Sequence, residues 1–237
     1  KEAEDGISLR ATPTASWTPL TKDGELPPGR RRAILSLCWA ISASCGTAAR
    51  LSRRIWTGCA SGLIPILFLD GSHENYDLLE QYPTEERFGG LVQPLGGNVY
   101  HVCRGSVLEL EGKKYLCFGG AESPDKEERE AHVNWWPQEM PSDEEYARCE
   151  AALEANGWQV DYVLTHDAPS KFLDFSVLAE GENNRLHLFL DKVVMKTTYE
   201  KWFFGCHHKD VQLSTKSRCL FCDVVSIGEK KPWWKRR

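Results

Sequence analysis

Three apolar runs in this chain break in the same way. Ile66-Leu67-Phe68-Leu69 runs into Asp70-Gly71-Ser72-His73-Glu74-Asn75. Val160–Thr165 runs into His166-Asp167-Ala168-Pro169, and Trp202-Phe203-Phe204 runs into Gly205-Cys206-His207-His208. A short apolar run bounded by turn residues reads as a buried strand. Each strand therefore delivers a histidine into the loop past its C-terminal end, where the sites of open α/β folds collect. One such histidine is ordinary: a strand, a turn and a surface imidazole. Three in the same context predict convergence on one site, and imidazole is the commonest metal ligand.

The elements between these strands fit an α/β chain. Asn75 to Gln81 reads as a short helix with Tyr76, Leu78 and Leu79 as its apolar residues, ended by Pro83. Leu91–Gln93, Val99–Val102, Ser106–Leu110 and Lys114–Phe118 read as strands, the last two joined by the turn Glu111-Gly112-Lys113. Ser123 to Glu130 is a charged loop or a first helical turn, and the run Glu127–Glu130 is a solvated face. Ser142 followed by Glu145 is a capping-box start, and Asn156-Gly157 is the matching stop. Leu186 to Tyr199 is a second long helix, and Cys219 to Val225 a last strand.

Residues 1–63 have another texture. They are rich in Ser, Thr, Ala, Arg and Pro and hold neither a 3.6 nor a 2.0 apolar period, which predicts a poorly ordered arm. The organised domain spans residues 64–228, and residues 229–237 form a basic, aromatic tail. That tail could stack on nucleic acid, but a net charge of -5 makes a solvated tail the better reading. No apolar run approaches the roughly 20 residues of a membrane span. Leu35 to Ala49 has the look of a signal segment, but its distance from residue 1 and the lack of a disulfide framework argue against that. Nine cysteines without regular spacing read as reduced thiols, and so as a cytoplasmic protein. Cys219 and Cys222 have zinc-site spacing and, with Cys206 and His208, make a structural zinc site a competing reading. Inside an apolar strand their side chains would face opposite ways, so two ordinary strand cysteines are favoured.

Gly71-Ser72-His73-Glu74-Asn75, Thr165-His166 and Gly205-Cys206-His207-His208, in this order, resemble the later motifs of the calcineurin-like metallophosphoesterases. The family patterns are Gly-Asn-His-Glu, a strand-end His and Gly-His-x-His. Phe118-Gly119-Gly120-Ala121, Trp135-Trp136-Pro137 and Trp202–Asp210 extend the resemblance to a small bacterial branch, over roughly Ile64 to Gly228. The resemblance implies a two-sheet α/β/β/α sandwich with a strand-end site for two divalent metal ions, manganese, iron or zinc. A hydroxide bridging the two would attack a phosphate mono- or diester. Residue by residue, it places His73 as the proton donor to the leaving group, and His166 and His208 as ligands of one metal each. It implies pocket positions for Arg104 and Asp125. The substrate it implies is a phosphorylated small molecule, a nucleotide or a phosphoprotein. His101, His132 and His187 match no motif and read as surface or satisfied core residues. His207 falls at the variable position. Asp167 either orients His166 or is a turn aspartate.

Three departures bear on activity. Ser72 stands where the family has the Asn that helps bridge the metals. Cys206 stands where it has the first His, and a thiolate is a softer ligand. The family also opens with Asp-x-His and then Gly-Asp, and residues 1–63 contain neither. A shifted reading, taking the third base of each codon with the first two of the next, permits Asp-Thr-His-Gly-Glu over Ala11–Ser16 and forces Gly at Trp39-Ala40. From there to Ala48 it permits Gly-Asp-Phe-Gly-Leu-Leu-Trp-Asp-Gly, and Leu-Asp-Trp-Leu over Ile55–Cys59. Residues up to about Ser61 are therefore expected to be an out-of-frame reading of a metallophosphoesterase start. As written the chain is expected to have weak or no phosphoesterase activity, and an exposed sheet edge at Ile66–Leu69. The alternative function is a non-catalytic remnant or binding module on the same fold.

Overall fold

The structure, a computed structural model, describes residues 7–10, 34–36, 65–173, 183–221 and 224–227. They form an α/β fold with two mixed sheets. The first holds β1 (Ile7–Arg10), β2 (Ile34–Ser36), β3 (Ile66–Phe68), β4 (Glu85–Arg87), β5 (Gly90–Gly96), β6 (Val99–Val102) and the last strand, β13 (Val224–Ile227). Its spatial order is β13-β1-β2-β3-β6-β5-β4. The second holds β7 (Ser106–Leu110), β8 (Lys113–Phe118), β9 (Tyr162–Thr165), β10 (Lys201–Phe204), β11 (Val211–Gln212) and β12 (Ser217–Cys219), in the order β11-β12-β10-β9-β8-β7. The helices are α1 (Tyr76–Leu79), α2 (Asp143–Ala155), α3 (Ser170–Leu173) and α4 (Arg185–Lys196).

Strand alternation builds the layers. In β8, Tyr115 and Cys117 face one cluster while Leu116 and Phe118 face the other. In β10, Phe203 goes to the first cluster and Trp202 and Phe204 to the second. The first cluster also takes Leu67, Val92, Tyr100 and Val102, so the two sheets pack face to face over it. The second lies under α2 and α4, through Tyr146, Cys149, Leu153, Leu186, Leu190 and Val193. Strands buried on both faces read as continuous apolar runs, which is why β8, β9 and β10 stand out in the sequence. Each fully buried Leu or Phe among them contributes about 1.5–3 kcal/mol relative to exposure.

The local signals hold. Ser142 caps α2: its Oγ accepts from the Glu145 N–H at 3.3 Å, and Glu145 Oε2 accepts the Ser142 N–H at 2.8 Å. Asn75 caps α1 and Asn184 caps α4. Leu110 pairs with Lys113 across the turn at Glu111-Gly112, as the hairpin requires.

Residues 1–63 contribute two strands, β1 and β2, and the rest of that segment lies outside the described residues. Two expectations are corrected. The strand at Ile66 is not an edge: Ile34–Ser36 pairs with it on one side and Val99–His101 on the other. Cys219 to Val225 is not one strand. β12 ends at Cys219 in the second sheet and β13 begins at Val224 in the first. Both sheets bury apolar side chains in the same core, where Leu220, Val225 and Ile227 meet, so the run stays apolar while the chain changes layer. Cys222, Asp223 and the tail 229–237 lie outside the described residues.

Among the described residues no helix is long and apolar enough to cross a membrane. Cys103, Cys117, Cys149 and Cys219 are buried thiols outside any disulfide.

Candidate functional site

The carboxyl ends of strands from both sheets meet at one place. Beyond β9, the His166 N–H donates to Phe118 O at 3.2 Å, and His166 O accepts the Gly205 N–H at 3.0 Å. Gly120 N–H donates to Asp70 O at 3.0 Å, tying the end of β8 to the end of β3. Two glycines make this approach feasible. A Cβ on Gly119 would fall 2.2 Å from Asp70 Oδ1, and one on Gly71 would fall 2.2 Å from His166 Cε1. Gly71, two residues before His73, thus lies against the His166 ring.

His166 is 2% exposed, and neither ring nitrogen has a hydrogen-bond partner among the described residues. Burial pushes its imidazole down to about 4, against the pull of Asp167 and Asp70. It is a neutral ring with a lone pair and no protein group to receive, the profile of a ligand residue.

Beside it lies a buried polar network that the sequence reading missed. Burial alone would raise the Asp70 carboxyl. Arg104 and His101 reverse that and hold it well below the usual carboxylate range. Arg104 Nε donates to Asp70 Oδ2 at 2.7 Å, His101 Nε2 lies 2.9 Å from Oδ1, and Tyr76 Oη donates to Oδ2 at 3.0 Å. Gln93 Oε1 is 2.6 Å from His101 Nδ1, so both His101 nitrogens are satisfied. Arg104 Nη2 also reaches the carbonyls of Gln138 at 2.8 Å and Glu139 at 3.3 Å. The signal in the sequence was a charge ending an apolar run: an aspartate after Ile66–Leu69 must find a buried partner. Arg104, expected in the pocket, is 3% exposed and serves this network.

His73 sits in the turn after Gly71 with φ of 65°, a left-handed conformation rare outside glycine. Glu139 Oε1 accepts its backbone N–H at 2.7 Å, and Ser123 Oγ lies 3.2 Å from Nδ1. Burial and the Arg129 cation lower the His73 imidazole below its ordinary value, against Glu139 and Asp125. Asp125 is held by Arg129 through paired contacts of 2.7 and 2.6 Å. Glu139 and Ser123 went unnoticed because nothing local marks them. Ser72 is half-buried in the same turn.

The third loop follows β10. Cys206 is half-buried and His208 exposed, both with left-handed backbone, and the His208 ring packs on Phe221 with centroids 5.1 Å apart. The residue at the variable position, His207, turns inward, with Nε2 3.5 Å from Asp167 Oδ1. That contact is outside hydrogen-bond geometry. Asp167 does not orient His166. Its Oδ2 is 2.9 Å from His187 Nε2, and its Oδ1 accepts the Ala168 N–H at 2.7 Å. His187 is therefore a satisfied core residue, as is His101, while His132 is exposed beside Asp77.

Among the described residues no group of three or more His, Cys, Asp or Glu side chains is placed to hold a metal ion. His166 has a ligand's profile, but the described donor set does not make a metal centre. No protein-family model and no curated protein matches this chain.

Proposed function

We propose that the chain is built on the metallophosphoesterase α/β/β/α sandwich with an incomplete metal side, and that as written it hydrolyses phosphate esters weakly or not at all. His166 carries the reading: a buried imidazole whose two nitrogens have no hydrogen-bond partner among the described residues, held against Gly71 where strand ends of two sheets converge. Topology supports it. β1, β2, β3 and β6 run parallel, so the chain leaves β1 and β2 at the same end of the sheet as it leaves β3 at Asp70. Those exits are where early Asp and His ligands would be needed. The segment after β2, residues 37–64, contains no Asp, Glu or His at all. Without the early Asp, His and Asp ligands, too few anionic groups remain to hold two divalent cations together.

The residues that would act on the substrate side are present. His73 is half-buried in its loop, with Nδ1 tied to Ser123 and its backbone to Glu139. In this reading His73 gives a proton to the departing oxygen of a phosphorylated small molecule, nucleotide or phosphoprotein. Metal content of the purified chain by mass spectrometry tests the proposal. Fewer than two equivalents of manganese, iron or zinc is the expected result, and two tightly held equivalents would refute it.

A further inference from the structure

We infer that Ser123 and Glu139 are positioning residues that fix the neutral His73 ring as its Nδ1–H tautomer, so that Nε2 is the atom at which His73 exchanges protons. The inference rests on His73 being the proton-handling group of the proposed site, and no other use of Ser123 or Glu139 is needed.

Glu139 is 1% exposed, and each of its oxygens accepts a backbone N–H, Oε1 from His73 at 2.7 Å and Oε2 from Ser123 at 3.2 Å. Ser123 Oγ stands 2.5 Å from Oε2. A hydroxyl has one hydrogen, and here it goes to the carboxylate. Only a lone pair is left on Oγ to face His73 Nδ1, 3.2 Å away. Nδ1 must therefore be the donor. Glu139 Oε1, 3.6 Å from Nδ1, favours a hydrogen there as well. The second ring nitrogen then carries the lone pair when the ring is neutral and the transferable proton when it is charged.

The arrangement also fixes the ring in space. The carboxylate that directs Ser123 grips the His73 backbone and holds its left-handed φ. Glu139 is itself anchored: its carbonyl accepts from Arg104 and from the Ala121 N–H at 3.2 Å, and Trp136 before it donates to Asp77 at 2.8 Å. Ser123 is 1% exposed, so its hydroxyl is out of reach of a substrate and does not act as a nucleophile.

Ring nitrogen NMR of the full chain, near pH 9 where an ordinary imidazole is neutral, reads the tautomer directly. His73 is assigned by comparison with His73→Asn. The wild-type ring is expected in the Nδ1–H form. Ser123→Ala moves the population toward Nε2–H. Glu139→Gln sets an amide donor beside Oγ, turns the hydroxyl toward Nδ1 and reverses the tautomer. A wild-type Nε2–H ring overturns the inference even if neither variant folds, and so does a tautomer unmoved in both variants. The readout needs no turnover. Two tightly bound metals with an Nε2–H ring refute this inference and the incomplete-centre reading separately.

Discussion

The Cα of Gly71 faces the His166 ring so closely that a methyl group there would lie 2.4 Å from Nε2 and 2.6 Å from Nδ1. The end of β3 and the end of β9 are therefore locked by a contact that only glycine permits. Gly71→Ala forces the buried ring to move, and overpacking of this kind costs about 1–3 kcal/mol. Urea denaturation should register that loss, with displaced His166 ring resonances. A variant as stable as the parent with unmoved resonances would show that the contact is not tight.

Breaking the Asp70 network should cost more. Arg104→Met leaves the Asp70 carboxylate buried beside His101 and Tyr76 without its guanidinium. Removing one partner of a buried pair costs on the order of 3–5 kcal/mol. The double variant Asp70→Asn, Arg104→Met should be less destabilised than the sum of the single ones, because the uncompensated charge is gone. Denaturation midpoints of the four proteins check this. Simple additivity would contradict it.

His166 predicts a pH dependence with a definite sign. Burial holds its folded pKa at about 4, so between that value and the ordinary value near 6.5 the unfolded chain binds a proton that the folded chain does not. Stability from this group is complete above about pH 6.5 and is lost as pH falls toward 4. His187, raised by Asp167 despite burial, acts oppositely and loses its contribution as pH rises. Unfolding free energies measured from pH 7.5 to 4.5, with His166→Asn as the comparison, separate the two. The parent should show the steeper fall on acidification.

A local device offers a smaller, cleaner check. Ser142→Ala removes the cap of α2, whose Tyr146, Cys149 and Leu153 pack on the second sheet. A loss of about 1 kcal/mol is expected, seen as a lower thermal midpoint with unchanged secondary structure.

What could be read from the sequence was what depends on neighbours in the chain. The caps at Asn75 and Ser142, the hairpin at Glu111-Gly112 and the doubly buried strands β8 to β10 all announce themselves within a few residues. Partners far apart did not. His101 and Arg104 reach Asp70 across 31 and 34 residues, and Glu139 reaches His73 across 66. No periodicity predicts which buried charge meets which. β1 and β2 are four and three residues long and lie in a segment without an apolar period, so only pairing with β3 and β13 defines them. Left-handed backbone at Cys206 and His208 turns the third loop so that His207 faces Asp167, a placement that residue spacing alone does not show.

The expected frame shift in residues up to about Ser61 is open to a direct test. Resequencing of the coding DNA should reveal a shifted frame, free of stop codons to about Ser61, that spells Asp-Thr-His-Gly after β1 and Gly-Asp after β2. Stop codons in that frame, or a different sequence at Ala11–Ser16, would contradict the frame account.

Turnover of a generic aryl phosphate by the chain as written, with manganese added, tests the central claim most directly. Hydrolysis is expected at or near the rate of a metal-only control, because among the described residues no group of three or more His, Cys, Asp or Glu is placed to hold a metal ion. Turnover on the order of 1–1,000 per second, the range of ordinary enzymes, abolished by His166→Asn, would contradict it.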